Sequence, residues 1–183
     1  MRKNKTRSVV LMAICIVLNI VCSNFILMLR VPIYLDAVGT ILAASFLGPL
    51  AGMIVGGATG VLMGVTTDIF SLFFMPVQLV IGLTAGLLYK RRQATQIKNS
   101  WWFALAISLP GTILSTIITV ILFNGITSSG SSIVVQLLTG IGMNQALSVF
   151  LVQVATDYLD KLLTVIFVSF AGRLIRKRTT IMR

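Results

Sequence analysis

Residues 7–30 read RSVVLMAICIVLNIVCSNFILMLR: two arginines enclosing 22 residues without a charge. A membrane-spanning helix needs about 20 predominantly apolar residues, so this stretch predicts a span over 8–29. Arg2, Lys3, Lys5 and Arg7 give it a basic lead. The run exceeds the core of a secretory signal, and no A-x-A-like cleavage site follows. Val21 stands before Cys22 where a lipoprotein site wants a small residue. The expectation is a retained transmembrane helix.

The rest of the chain has the same character. Of 183 residues, 57% are apolar and 10% charged, against about 25% charged in a soluble domain. Disordered chains are polar and poor in large apolar residues, so disorder is excluded as well. A net charge of +11 points to nucleic acid only when the bases form a patch on a soluble surface. Here they sit in short clusters between apolar runs, and no nucleic-acid partner is expected. There is no histidine, which removes the commonest general base and metal ligand. No catalytic residue or metal site is expected. Cys15 and Cys22 lie about 10.5 Å apart along a helix, too far for a disulfide, and read as packing residues. No Walker A pattern is present.

Six spans are predicted, at about 8–29, 33–47, 50–67, 73–89, 101–123 and 160–173. Residues 124–157 are expected to form an outer loop or half-buried helix, and the whole chain one membrane domain. All but two of the fifteen bases fall in the N-tail, the 90–98 loop and the C-tail. Positive charge marks the cytoplasmic side, so both termini are predicted cytoplasmic in an all-α six-helix bundle. Trp101 and Trp102 sit at an interface, as tryptophan prefers. All four aspartates, Asp36, Asp68, Asp157 and Asp160, then fall at or near outer ends, with Arg30 and Lys161. Ionisable groups at membrane depth are costly and tend to be functional. Asp157 and Asp160, at the start of the last predicted span, read equally well as helix caps.

Gly48, Gly52, Gly56, Gly60 and Gly64 recur every fourth residue. Small residues let helix backbones approach closely in lipid, so the ladder is read as a packing face. Its drift of about 40° per step predicts different neighbours at its two ends.

The basic tail, Pro32-Ile33-Tyr34-Leu35-Asp36-Ala37-Val38-Gly39-Thr40, Leu47-Gly48-Pro49-Leu50-Ala51-Gly52, and Asp157-Tyr158-Leu159-Asp160-Lys161 together resemble the substrate-binding S component of energy-coupling factor (ECF) transporters. The Tyr-Leu-Asp-x-x-Gly-Thr stretch is most similar to cobalamin-type members. The resemblance implies a vitamin-binding subunit in the bacterial plasma membrane, with a transmembrane partner (EcfT) and two ATPases. Those partners would use ATP and Mg, and this chain would need no cofactor. The family's small contact pair on the first span maps onto Ala13 and Val17, where Val17 departs from alanine. Cys15, Asn19 and Ser23 form another small stripe.

Candidate ligand contacts are polar or aromatic residues near the predicted outer ends: Arg30, Tyr34, Asp36, Asp68, Phe74, Gln78, Asn124, Asn144 and Gln145. Amides both donate and accept, and aromatic faces suit a ring, which matches an amide-decorated vitamin such as cobalamin. Pantothenate, riboflavin and folate are the alternatives. A stand-alone secondary transporter would want acids deep in the membrane for ion coupling. An intramembrane enzyme lacks its nucleophile–base pair.

Overall fold

A computed structural model describes residues 2–91 and 99–181. Helix accounts for 85% of the structure, and the described residues form no strand. The order is α1 (Arg2–Leu29), α2 (Val38–Leu47), α3 (Pro49–Thr66), α4 (Phe70–Phe73), α5 (Met75–Arg91), α6 (Ser100–Phe123), α7 (Ser131–Gly140) and α8 (Gln145–Ile181). Among the described residues, three helices are long and apolar enough to cross a membrane: Lys5–Leu29, Pro49–Thr66 and Ser100–Phe123. Most of the expected 90–98 basic loop and the last residues of the basic C-tail lie outside the described residues.

The glycine ladder sets α3 against α5. A Cβ at Gly52 would lie 2.8 Å from the Gly82 carbonyl oxygen, and one at Gly56 2.7 Å from that of Gln78. Further along, Gly60 meets Met75 and Gly64 meets Leu72. The neighbours change along the ladder as expected: a Cβ at Gly52 also meets Ala44 of α2, at 2.7 Å, whereas one at Gly64 meets Leu72 of α4. The ladder follows one continuous antiparallel run from 82 back to 72, because α4 and α5 join at Phe74 and extend along the drifting stripe. Gly48 stands apart: at φ +95° it turns the chain between α2 and α3, with open space around it. That backbone region suits glycine because other residues carry a clashing Cβ.

α1 lies across α2 and α3 through a buried polar node. Asn19 is fully buried. Its Oδ1 accepts the Gly39 N–H at 2.6 Å, and its Nδ2 donates to Thr40 Oγ1 at 2.9 Å and Thr59 Oγ1 at 3.1 Å. The first N–H groups of a helix lack intrahelical partners, so α1 supplies the first turn of α2 with an acceptor from outside its own sequence. Gly39 permits the crossing, since a Cβ there would strike the Cys15 carbonyl. Cys15, Asn19 and Ser23 thus face the chain's own interior and are withdrawn as a docking stripe. Ala13 and Val17 are exposed. Asn19→Leu should destabilise the fold by about 1–3 kcal/mol for each polar group left buried without a partner, read as a lower melting temperature in detergent.

The largest correction concerns 124–173. Instead of an outer loop or half-buried helix over 124–157 and a short span opening near Asp160, the chain forms the short helix α7 and then a single long helix from Gln145. At 1.5 Å per residue, the 37 residues of α8 extend about 55 Å. Asp157, Asp160 and Lys161 sit well inside it, so they cap nothing. The cap is Asn144, whose Oδ1 accepts the N–H groups of Ala146 at 3.0 Å and Leu147 at 3.3 Å. Gln153 and Asp157, which interrupt the apolar pattern, do not break the helix, because they find partners on α6. Gln153 Oε1 accepts from Thr116 at 2.8 Å and Ser115 at 3.0 Å, and its Nε2 donates to Thr119 at 2.9 Å. Below this polar seam, α2, α5, α6 and α8 close on a core of Ile41, Val77, Ile81, Phe103, Ile107, Val165 and Val168.

Candidate functional site

The helices surround a cavity of about 850 Å³, counting the space open at its mouth. Its walls come from α1 (Ser23, Leu27), the α1–α2 connection (Tyr34, Asp36), α3 (Thr59, Gly60, Met63) and α5 (Val77, Gln78, Ile81). α6 adds Ser108, Gly111 and Ser115, and α8 adds Gln153, Asp157 and Lys161.

Asp36 belongs to a charged triad. Lys161, buried to within a few per cent, has its Nζ bonded to Asp160 and lies 3.8 Å from Asp36 Oδ1. The other oxygen of Asp160 accepts the Leu35 N–H at 2.9 Å. That contact holds the α1–α2 connection, in which Leu35 adopts φ +46°, an uncommon conformation for a bulky residue. Asp157 stands one turn before Lys161. Its Oδ2 accepts from Thr112 at 2.8 Å and Ser115 at 3.5 Å.

The mouth lies beneath the α6–α7 connection. Ser128 donates to Asp68 at 3.0 Å, and Tyr34 donates to Ser129 at 2.8 Å. Gly130 packs on the Arg30 carbonyl so closely that a Cβ would collide. Beside it, Phe70, Phe73 and Phe74 gather round Phe123 with ring centroids 4.8, 5.3 and 6.0 Å away. Phe70 and Phe74 reach the cavity wall.

Five of the residues expected from sequence, Tyr34, Asp36, Asp68, Phe74 and Gln78, come together on this cavity. Arg30, Asn124, Asn144 and Gln145 do not line it. Arg30 and Asn124 have left-handed backbones at chain turns, Gln145 bonds the Asn124 carbonyl, and Asn144 caps α8. Asn144→Ala should therefore cost about 0.5–2 kcal/mol, the usual value of a lost N-cap, in a melting experiment, while ligand affinity stays unchanged. Asp157, Lys161 and Gln153 were passed over as ligand contacts. Their spacing of four residues, 153, 157 and 161, puts them on one helix face and was the available signal.

The ECF transporter, substrate-specific component family matches residues 6–171. This chain belongs to that family. No curated protein and no solved structure matches it. As a family member it is a substrate-specific subunit of a transporter, associates with other ECF subunits and is a multi-pass membrane protein. The cavity carries aromatic side chains, Phe70 and Phe74, and an ionic group, Asp36, Asp157 and Lys161.

Proposed function

We propose that this S component captures a vitamin from outside a bacterial cell in the cavity between α1, α3, α5, α6 and α8. An EcfT-like subunit and two ATPases, using ATP and Mg, would then drive its release inside. The observation that carries the reading is the placement of Tyr34 and Asp36. They lie on the non-helical stretch 31–37 before α2, yet they face a cavity walled by helices. Irregular backbone at membrane depth is tolerated where it is buried in protein or lines a water-filled space, so this stretch can complete the layer that the ten-residue α2 is too short to cross.

The embedded helices are α1, α2, α3, α5, α6 and α8, with both termini cytoplasmic and α7 lying at the outer surface. The exposed α1 face with Ala13 and Val17 is the docking face for the EcfT-like subunit. The stretch Tyr34-Leu35-Asp36 favours cobalamin, with pantothenate, riboflavin and folate as the alternatives. Co-expression with ECF partners should give a co-purifying complex and should rescue growth of a vitamin auxotroph. Uptake by the chain alone in liposomes would favour a secondary transporter instead.

A further inference from the structure

We propose that the cavity selects a ligand bearing a cationic nitrogen next to a flat apolar ring, with Asp157 as its counter-ion; this rests on reading the cavity as the transport site.

The donors are largely occupied. Lys161 is bonded to Asp160 and faces Asp36. Both amides are engaged: Gln78 takes the Thr40 hydroxyl at 3.2 Å and donates to the Asp36 carbonyl at 3.4 Å, and Gln153 is held by α6 through all three of its bonds. The Tyr34 hydroxyl belongs to the Ser129–Ser131 pair. Two carboxylate oxygens are less fully engaged. Asp157 is 9% exposed and lines the cavity. Only its Oδ2 receives hydrogen bonds among the described residues. Asp36 Oδ1 is buried with no hydrogen-bond partner, 3.8 Å from the ammonium it shares with Asp160.

Three carboxylates, Asp36, Asp157 and Asp160, therefore surround one ammonium. A fourth, Asp68, stands at the mouth. A buried charge needs a paired charge, and an anionic ligand would add to the imbalance. A ligand cation placed beside Asp157 would correct it. Its ring would then meet Phe70 and Phe74, whose faces attract cations as well as apolar surface.

The test uses the purified full chain and the near-isosteric series pyridoxamine, pyridoxine and 4-pyridoxate (cation, neutral, anion at that position). Thiamin, riboflavin and pantothenate form a second series of the same charges. Affinity is read by calorimetry, and the molecule retained from cells is identified by native mass spectrometry. The expected result is that in at least one series the cation binds ten times or more tighter than its neutral counterpart. Asp157→Asn, which keeps an acceptor for Thr112, should reduce that preference at least tenfold without lowering the melting temperature of the empty protein. Tightest binding by a neutral or anionic probe, no binding by either cation, or an unaltered preference in Asp157→Asn overturns the proposal. A retained molecule lacking a cationic nitrogen overturns it too, yet leaves the transport reading intact. A chain that retains no small molecule and binds no probe removes both.

Discussion

Lys161→Met lowers the stability of the purified S component by about 3–5 kcal/mol, the scale for removing one partner of a buried ion pair. The ammonium is the only cation among the described residues that contacts Asp36 and Asp160. Without it, two carboxylates confront each other beside a third. Asp160 also holds the Leu35 N–H, so the α1–α2 connection should loosen and ligand affinity should fall with stability. The measurement is thermal unfolding in detergent, with and without ligand. The double variant Asp160→Asn/Lys161→Met should regain part of the lost stability, since it removes one stranded charge. Equal melting temperatures for wild type and Lys161→Met would show that the triad contributes nothing to the fold.

The second large effect concerns the helix crossing that shapes the cavity floor. Gly56→Ala places a methyl group 2.7 Å from the Gln78 carbonyl oxygen, which is backbone and cannot rotate away. α3 and α5 must separate, and the walls they share, Thr59, Gly60 and Gln78, move with them. Overpacking of this kind costs about 1–3 kcal/mol, and ligand binding should weaken as well. The adjacent Gly57 is the control. A Cβ there meets only the end of the Leu79 side chain, at 3.1 Å, so the usual helix preference of about 1 kcal/mol for alanine over glycine can emerge. Gly57→Ala should be neutral or stabilising, and the two variants should differ in melting temperature in that order.

The sequence told these features apart unevenly, for physical reasons. The uncharged run 8–29 announced α1, because a bilayer-length apolar stretch has few other uses. The four-residue glycine period announced a close crossing, though its partner depended on how α4 and α5 join. Tyr34 and Asp36 drew attention as polar groups inside an apolar stretch. The region 133–160 misled because Gln153 and Asp157 resemble solvated residues until the Thr112, Ser115, Thr116 and Thr119 stripe on α6 is seen to satisfy them. Asp157 and Lys161 looked like helix-end residues for the same reason. A polar residue's position in sequence does not say whether its partner is water or another helix. Asn124, Asn144 and Gln145 show the converse: amides chosen for ligand chemistry serve the turns and cap around α7 and α8.

As proposed, the cavity opens outward and receives the transported molecule there. The direct measurement places one cysteine at Ser128, which is exposed and lies at the mouth, in a background with Cys15 and Cys22 replaced by alanine. A membrane-impermeant maleimide is then applied to intact cells. Labelling from outside and a matching loss of vitamin uptake are expected. Labelling confined to inside-out vesicles, or uptake indifferent to complete labelling, would contradict the proposal.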